Sequence, residues 1–389
     1  MNRPMYSLHV DTARTWRGGQ NQVLLTVNGL RAIGQRATLV AHPDGELRRR
    51  VDEGLDLIPL APRTEMDLSA AWKFARLIKR LRPDIIHAHD PHGLAMASFA
   101  LSLGGVSGTG PALVASRRVD FHFKGNSLSR WKHRQVDCFI AASEAIRQIL
   151  LHDGVPPERT VTVHEGIDVE HVVAAESVNV HEAFWLPHHA PVVGNVAALV
   201  PHKGQRYLID AAHRVVQQLP DTRFVILGEG ELREHLERQV HEYHLEKHVL
   251  LPGFRTDVLG CLKGLDLFVM SSVTEGLGTS LLDAMACSRA IVATTAGGIP
   301  EIVEDGVNGL LVPPRDARAL ADSIVRALKD QALRTRLGAA GFARVNERFT
   351  VERMVDETAA VYRRVGGMHH AEDSAGPEAP LQSRDRARD

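Results

Sequence analysis

Glu275 opens a short turn whose residue types suit the binding of a phosphorylated sugar. It is followed by Gly276, Leu277 and Gly278, and a helical stretch begins near Thr279. Backbone N–H groups at the start of a helix, together with the helix dipole, form a binding site for an anion such as a diphosphate. The carboxylate of Glu275 can accept hydrogen bonds from sugar hydroxyls beside that anion.

Asp283 provides a second carboxylate on the other side of this turn. It lies four residues after Thr279 and therefore on the same face of the helix, one turn further along. Two carboxylates that flank a diphosphate site suit a nucleotide sugar, with the hexose on one side and the ribose on the other. An isolated turn glutamate is usually just solvated, but the nearby run Gly297–Glu301 favours the functional interpretation of Glu275.

The segment Ser271–Pro314 resembles glycosyltransferase family 4, a large retaining family with the GT-B fold. The family's hallmark is a glutamate, seven intervening residues and a second glutamate; this chain has Glu275, seven residues and then Asp283. The resemblance covers essentially residues 5–365 and is more specific in the second half. It implies transfer of a sugar from a nucleotide-sugar donor with retention of configuration, and Asp283 would hold the ribose.

Lys203 closes a second matching segment, Val193–Gly204, which resembles the strand and loop that open the family's C-terminal domain. The resemblance implies that Lys203 binds the donor phosphates, where a cation stabilises the charge of the departing nucleoside diphosphate. The family usually places an arginine five residues earlier, where this chain has Ala198. Arg206 or Arg255 is a candidate substitute, and a plain surface charge is the alternative interpretation of Lys203.

Shorter matches complete the donor site. The stretch Leu227–Gly230 resembles the nucleotide subsite, Phe254–Asp257 resembles a loop beside the base, and Trp16–Gln20 resembles the glycine loop near the phosphate and the acceptor. Glycine there allows a close backbone approach, although an ordinary tight turn is the alternative. The predicted catalytic residues are Glu275 and Lys203, and the predicted donor-binding residues are Gly18, Gly19, Gly228, Gly230, Arg255, Gly276, Leu277, Gly278, Thr279 and Asp283.

The acceptor side is marked by histidine and arginine. His87 and His89 alternate on a predicted strand with no further acidic or cysteine ligand close in sequence, so we interpret them as cleft lining and predict no metal site. At the end of the next strand, where many family members carry histidine, this chain has Arg117 and Arg118. The prediction for the acceptor side or cleft is therefore His89, Arg117 and Arg118.

Strand-like apolar runs alternate with helical stretches along most of the chain, which indicates parallel sheets covered by helices. With the resemblance, the predicted fold class is α/β, specifically GT-B: two Rossmann-like doubly wound domains that face each other across a cleft. The predicted divisions are an acceptor-side domain at 1–180, a nucleotide-sugar-binding domain at 181–345, a helix at 346–366 that packs back on the first domain, and a disordered tail at 367–389.

Composition limits the remaining choices. The chain has 389 residues, 46 basic against 47 acidic, and a formal net charge of -1, which argues against a dedicated nucleic-acid partner. Its three cysteines form no C-x-x-C pair, so we expect buried, reduced thiols. With no apolar run long enough for a signal peptide or a membrane span, the expected location is cytoplasmic.

The expected partners are a UDP- or GDP-sugar donor and a carbohydrate or lipid-linked acceptor, with no cofactor and no metal. The basic and aromatic stretch Arg117–Arg134 has two interpretations, a peripheral contact with the inner face of the membrane or a solvated loop and helix. The alternatives to sugar transfer are a UDP-sugar 2-epimerase-like enzyme and a non-catalytic nucleotide-sugar binder on the same fold. The absence of an Asp-x-Asp pair agrees with metal-independent transfer.

Overall fold

The structure, a computed structural model, describes residues 4–51, 54–103, 110–123 and 125–374, with side chains as far as residue 367. Within these ranges the strands form two parallel sheets, one of seven strands and one of six. The strands are β1 (Tyr6–Asp11), β2 (Arg36–Ala41), β3 (Leu57–Pro59), β4 (Ile85–Ala88), β5 (Ala112–Arg117), β6 (Cys138–Ala141), β7 (Thr160–Thr162), β8 (Val192–Val196), β9 (Arg223–Leu227), β10 (Val249–Gly253), β11 (Leu267–Met270), β12 (Ile291–Thr294) and β13 (Leu310–Val312).

Helices connect successive strands and cover the faces of both sheets. They are α1 (Gly18–Ala32), α2 (Glu46–Arg49), α3 (Leu68–Leu81), α4 (Pro91–Leu103), α5 (Ser127–Arg134), α6 (Glu144–His152), α7 (Val169–Ala174), α8 (Val180–Ala183), α9 (Gln205–Gln218), α10 (Arg233–Glu242), α11 (Val258–Lys263), α12 (Thr279–Ala286), α13 (Ile299–Ile302), α14 (Ala317–Lys329), α15 (Gln331–Arg348) and α16 (Val351–Ser374). Short 3₁₀ turns occur at Pro157–Arg159 and Pro201–Lys203.

The strand order places the functional loops at one edge of each sheet. The first sheet runs β3-β2-β1-β4-β5-β6-β7 and the second runs β10-β9-β8-β11-β12-β13. The order therefore reverses beside β1 in the first sheet and beside β8 in the second. In open parallel sheets, ligands bind beyond the carboxyl ends of the strands at such reversals. The loops after β1, β4, β8 and β11 are accordingly the candidates for a site.

The chain moves between the two halves at both ends of the second sheet. Ile167 and Val172 already pack in the second core, ahead of the predicted boundary at residue 180. After the second sheet, α16 returns to the first: Val355 lies against Gly29 of α1, where an added Cβ would approach the valine Cγ2 to 2.3 Å. The last helix therefore belongs structurally to the first domain.

The end of α16 and the cysteines complete the account of the fold. The helix runs to Ser374, so it extends into the segment predicted as a tail from residue 367, and residues 375–389 lie outside the described part. Met, Ala and Glu in this stretch are good helix formers, which explains the extension. All three cysteines are buried and free, as expected. Among the helices described, none is both long and apolar enough to cross a bilayer.

Candidate functional site

The turn between β11 and α12 contains the glycine and the helix start on which the predicted anion site depends. All of β11 is buried, as its apolar sequence predicts, and Gly278 is the N-cap of α12 with a φ of 98°, which favours glycine. A glycine N-cap supplies no side-chain acceptor to the first amides of the helix, beginning at Thr279. The side chain of Leu277 packs in the core and the residue is 2% exposed, so Leu277 can offer a ligand only its backbone.

Lys203 and Glu275, the two predicted catalytic residues, meet directly although 72 positions separate them. The ammonium Nζ of Lys203 lies 2.9 Å from Oε1 and 2.6 Å from Oε2 of Glu275. Ser272 donates a further hydrogen bond of 2.9 Å to Oε2. Glu275 is 8% exposed, and its carboxylate is paired with one cation and one hydroxyl. An incoming phosphate would compete with it for the ammonium.

Gly297 supports the backbone of Glu275 from behind. Its φ is 51°, and a Cβ added there would lie 1.8 Å from the carbonyl oxygen of Glu275. The next amide, that of Gly298, donates to the same carbonyl at 3.2 Å. The run of glycines after β12 therefore lets one loop lie directly against the turn that carries the acid.

Gly297→Ala should distort this turn, whereas Gly306→Ala should not. Both glycines have positive φ, but an added Cβ at Gly306 meets no heavy atom within 4 Å. Gly306→Ala should cost about 1 kcal/mol of backbone strain, and Gly297→Ala should add about 1–3 kcal/mol of steric strain. Thermal unfolding and sugar-transfer rates of both variants test this. Equal losses in the two would show that the contact with Glu275 is unimportant.

Gly228 and Gly230 serve the contact between two loops. Added Cβ atoms would lie 1.9 Å from the carbonyl oxygen of Ala197 and 2.3 Å from that of Leu199, respectively. Glycine at both positions thus lets the loop after β9 lie against the loop that leads to Lys203. The structure therefore explains glycine at both positions by backbone contact, and their contact with the donor stays a prediction.

Arg255 is hydrogen-bonded to a carboxylate of its own loop. Its Nε and Nη2 donate to the two carboxylate oxygens of Asp257 at 2.8 and 2.5 Å, and its guanidinium lies 5.6 Å from the ring centre of Phe184. The structure does not join Arg255 to the Lys203–Glu275 pair. Its suggested role as a substitute for the arginine absent at Ala198 gains no support from this arrangement.

Asp283 is half-buried on α12, and burial raises the pKa of its carboxyl from 3.8 to about 7. Within the described residues its carboxylate has no protein hydrogen-bond partner, unlike that of Glu275. A buried acceptor of this kind is suited to a ligand hydroxyl, because such a donor would stabilise its charged form. The predicted ribose contact remains a prediction.

The glycine loop of the first domain lies across from the donor turn. A Cβ added at Gly18 would lie 2.9 Å from the hydroxyl of Thr279, and one added at Gly19 would lie 3.7 Å from Cδ of Arg118. The start of α1 therefore faces the start of α12. The structure thereby brings together the predicted phosphate-side residues of both domains.

Arg118 is the arginine that faces the cleft. Its Nε donates to Glu165 at 2.9 Å, and its Nη1 lies 3.2 Å from Nδ1 of His89. Arg117 points elsewhere, because consecutive residues at a strand end face opposite sides. Its guanidinium donates to the carbonyl of Phe121 and lies 5.1 Å from the ring centre of Phe123. The sequence left both arginines open, and the structure selects Arg118.

A directed chain of hydrogen bonds extends inward from Arg118. Arginine can only donate, so Nδ1 of His89 accepts, and a neutral His89 must carry its proton on Nε2. That proton is donated to Nδ1 of His9 at 2.9 Å, and Nε2 of His9 donates to the hydroxyl of Ser7 at 3.0 Å. Burial, with a further contribution from Arg118, lowers the pKa of His9 to about 3. A neutral His89, itself held by His9, therefore accepts from the guanidinium.

His9, His87 and His89 are close enough to be considered as metal ligands, since one ring nitrogen of each lies within 4.8 Å of the others. The third histidine, His87, is hydrogen-bonded through Nδ1 to the hydroxyl of Tyr362 at 2.6 Å and through Nε2 to the hydroxyl of Ser116 at 2.8 Å. All six ring nitrogens are thus already hydrogen-bonded, which does not fit a metal centre. Both predicted histidines are buried, deeper than the cleft lining the sequence suggested.

Glu165, Ser272 and His9 were missed by sequence reasoning. Glu165 is 8% exposed, and burial raises the pKa of its carboxyl despite the opposing effect of Arg118. These residues lie far along the chain from their partners and belong to no motif of distinctive spacing. For Glu165, the only signal in the sequence was an acidic residue shortly after a predicted strand.

The sequence and the fold have clear relatives among known proteins. A model of glycosyl transferases group 1 matches residues 180–344, and a model of Glycosyltransferase Family 4 matches residues 16–171. Alpha-maltose-1-phosphate synthase of Mycolicibacterium smegmatis is 30% identical over 266 residues, which are 62% of this chain and 67% of that protein. The lipopolysaccharide core biosynthesis glycosyltransferase LpsE of Rhizobium meliloti is 28% identical over 343 residues, 87% of this chain and 94% of that protein.

Among solved structures, Anabaena HepE in complex with UDP-glucose superposes with a TM-score of 0.80 at 22% identity, covering 92% of this chain and 100% of that one. Two parallel α/β sheets covered by helices, together with this superposition, define the GT-B fold, which confirms the predicted fold class. The chain belongs to glycosyltransferase family 4.

Proposed function

We propose that this enzyme transfers a sugar from a UDP- or GDP-sugar to a carbohydrate or lipid-linked acceptor in cell-envelope or polysaccharide biosynthesis, with retention of configuration and without a metal. The observation that carries the proposal is the Lys203–Glu275 pair at the turn before α12. LpsE, named for lipopolysaccharide core synthesis, supports the acceptor class, and HepE, solved with UDP-glucose, supports the donor class.

In the proposed reaction, the bond between the sugar's anomeric carbon and the diphosphate oxygen breaks while the acceptor oxygen bonds to the same carbon. Lys203 and the first amides of α12 stabilise the charge on the leaving diphosphate. Glu275 accepts hydrogen bonds from donor-sugar hydroxyls and orients the ring. The acceptor proton passes to an oxygen of the departing phosphate, so no protein base is required.

A thermal-shift panel of UDP, GDP, ADP and dTDP with their sugar conjugates tests the donor part. A ligand at about 100 times its dissociation constant stabilises the fold by roughly 2.7 kcal/mol. Product analysis with candidate acceptors, with and without EDTA, then tests the reaction. Donor consumption without an acceptor would favour an epimerase, and binding without turnover would favour a non-catalytic binder. An inverted product would exclude retention.

Asp283 should make UDP binding depend on pH. Without ligand, the pKa of the Asp283 carboxyl is about 7, and ribose hydroxyls would stabilise its charged form. The affinity for UDP should therefore rise between about pH 6 and pH 8. In the protein without ligand, the raised pKa of Asp283 contributes to the stability of the fold. This contribution is fully present below about pH 4 and is lost as the pH rises through 7. Calorimetric titration of wild type and Asp283→Asn measures this, since the titration of UDP itself is common to both. Identical pH profiles would contradict the ribose contact.

Peripheral contact with the cytoplasmic face of the membrane is a further part of the proposal. Arg130 and Arg134 are exposed on α5, where they can approach anionic lipid headgroups. The neighbouring Trp131 instead packs against Phe99, with ring centres 4.7 Å apart. Cosedimentation with anionic and zwitterionic vesicles tests this contact, and equal recovery with both would contradict it.

A further inference from the structure

The start of α6, in the first domain, is capped by a carboxylate of the second domain. The backbone amides of Glu144 and Ala145, the first two residues of the helix, donate to Glu301 Oε2 at 2.8 Å and Oε1 at 2.9 Å. The helix's own N-cap, Ser143, accepts from the next amide at 3.2 Å. Hydrogen bonds from helix-start amides to an ionised acceptor are stronger than neutral ones, and the helix dipole favours the negative charge there.

A second donor from the first domain reaches the same carboxylate. His164 Nε2 lies 2.8 Å from Oε2 of Glu301. Together the amides and the imidazole hold the pKa of Glu301 below its usual range, although burial opposes them. The carboxylate therefore makes three contacts across the cleft, all to residues of the first domain.

These contacts lie directly beside the donor turn. The hydroxyl of Ser143 donates to the carbonyl of Gly276, the residue after Glu275, at 2.6 Å. A Cβ added at Gly276 would lie 2.2 Å from the carbonyl oxygen of Arg118, and one added at Gly298 would lie 2.8 Å from Cβ of Ser143. The start of α6 thus touches the turn that carries Glu275 while Glu301, three residues after Gly298, holds the helix.

We propose that Glu301 is a positioning residue that holds the two domains together in the arrangement required for transfer. Its carboxylate binds the start of α6 and keeps it in contact with the donor turn. Glu275 and Lys203 of one domain then face Arg118 of the other. This inference rests on the proposed function, because it assigns Glu301 a part in the same transfer. Glu301 itself touches neither Lys203 nor Glu275 and is not expected to contact the donor.

The test compares Glu301→Gln with Glu304→Gln, a matched change three residues further along. Glutamine keeps the size of the side chain but offers one acceptor oxygen where two amides and an imidazole now donate. Glu304 carries an exposed side chain that pairs with Arg344 of its own domain. Each variant is measured for kcat, for KM of donor and acceptor, for UDP affinity and for radius of gyration by small-angle X-ray scattering.

For Glu301→Gln we expect a larger radius of gyration and a kcat lowered on the order of tenfold or more, with UDP affinity within about threefold of wild type, since the second domain holds the nucleotide. Glu304→Gln should match wild type in all four. Glu301→Asp, which keeps the charge, should recover part of kcat and compactness. An unchanged kcat and radius in Glu301→Gln would overturn the inference, as would equal losses in Glu304→Gln.

The scattering and UDP measurements do not depend on transfer. If wild type transfers no sugar but Glu301→Gln still expands the molecule, the proposed function fails and the interdomain role of Glu301 stands. If wild type transfers sugar and Glu301→Gln is identical to it, the interdomain role fails and the proposed function stands. Should Glu301→Gln not fold, His164→Ala, which removes one of the three contacts to the Glu301 carboxylate, carries the same comparison with smaller expected losses.

Discussion

Lys203→Ala is expected to lower kcat by about two to three orders of magnitude, the loss that follows removal of one preorganised group that stabilises transition-state charge. The ammonium lies within 2.9 Å of both oxygens of Glu275, beside the turn that opens α12. It is therefore placed to meet the charge that develops on the departing diphosphate. Donor KM should also rise, because the same cation binds the phosphates before they leave.

The control for this change is Lys247→Ala, which removes an exposed lysine of the same domain. Initial rates over a range of donor concentrations separate kcat from KM for both variants. Lys203→Ala also leaves a buried carboxylate without its cation, so its melting temperature should fall by the equivalent of about 2 kcal/mol. Lys203→Arg keeps the positive charge beside Glu275 and should therefore keep the melting temperature. Its kcat then shows how much of the loss in Lys203→Ala is due to lower stability. Full transfer activity in Lys203→Ala would remove the basis of the proposed mechanism.

Glu275→Gln should separate donor binding from transfer. Without the carboxylate, Lys203 loses the ion pair that now competes with phosphate, so UDP should bind more tightly than to wild type. Transfer should nevertheless fall by about a hundredfold, because the amide orients the sugar hydroxyls poorly and offers no negative charge near the developing positive charge at the anomeric carbon. Calorimetry with UDP and single-turnover transfer rates measure the two effects independently.

Glu231→Gln is the matched control, since Glu231 is an exposed residue between β9 and α10. It should leave both UDP affinity and transfer at wild-type values. Weaker UDP binding in Glu275→Gln, together with an unchanged transfer rate, would contradict the competition between the carboxylate and the phosphate for Lys203. The same result would assign Glu275 a purely structural part in the turn.

The meeting of Lys203 with Glu275 could be expected because each residue lies within a recognisable local segment. Glu275, its glycines and the start of α12 follow one another within a few residues, so their order alone indicates a strand, a turn and a helix start. Lys203 sits in a second local segment at the end of a strand-loop pattern. Parallel sheets bring the ends of such strands to one edge, which is why two separate segments met as expected.

The acceptor half could not be predicted in the same way. Whether Arg117 or Arg118 faces the cleft depends on where β5 ends, and a shift of one residue exchanges the two faces. On the donor side, Arg255 has a basic side chain in the expected loop, yet its Nε and Nη2 both donate to the neighbouring Asp257. Local sequence offers these groups, but side-chain partners decide which of them remain available.

By itself, the sequence determined the alternation of strands and helices, the family and the positions of Lys203 and Glu275, because each of these depends on patterns within a short stretch of chain. Tertiary structure alone decided the pairing of Arg118 with Glu165, 47 positions away, and of Glu301 with the start of α6, about 157 positions away. Contacts between distant segments depend on how whole elements pack. A buried carboxylate takes its partner from whichever donor the fold places beside it.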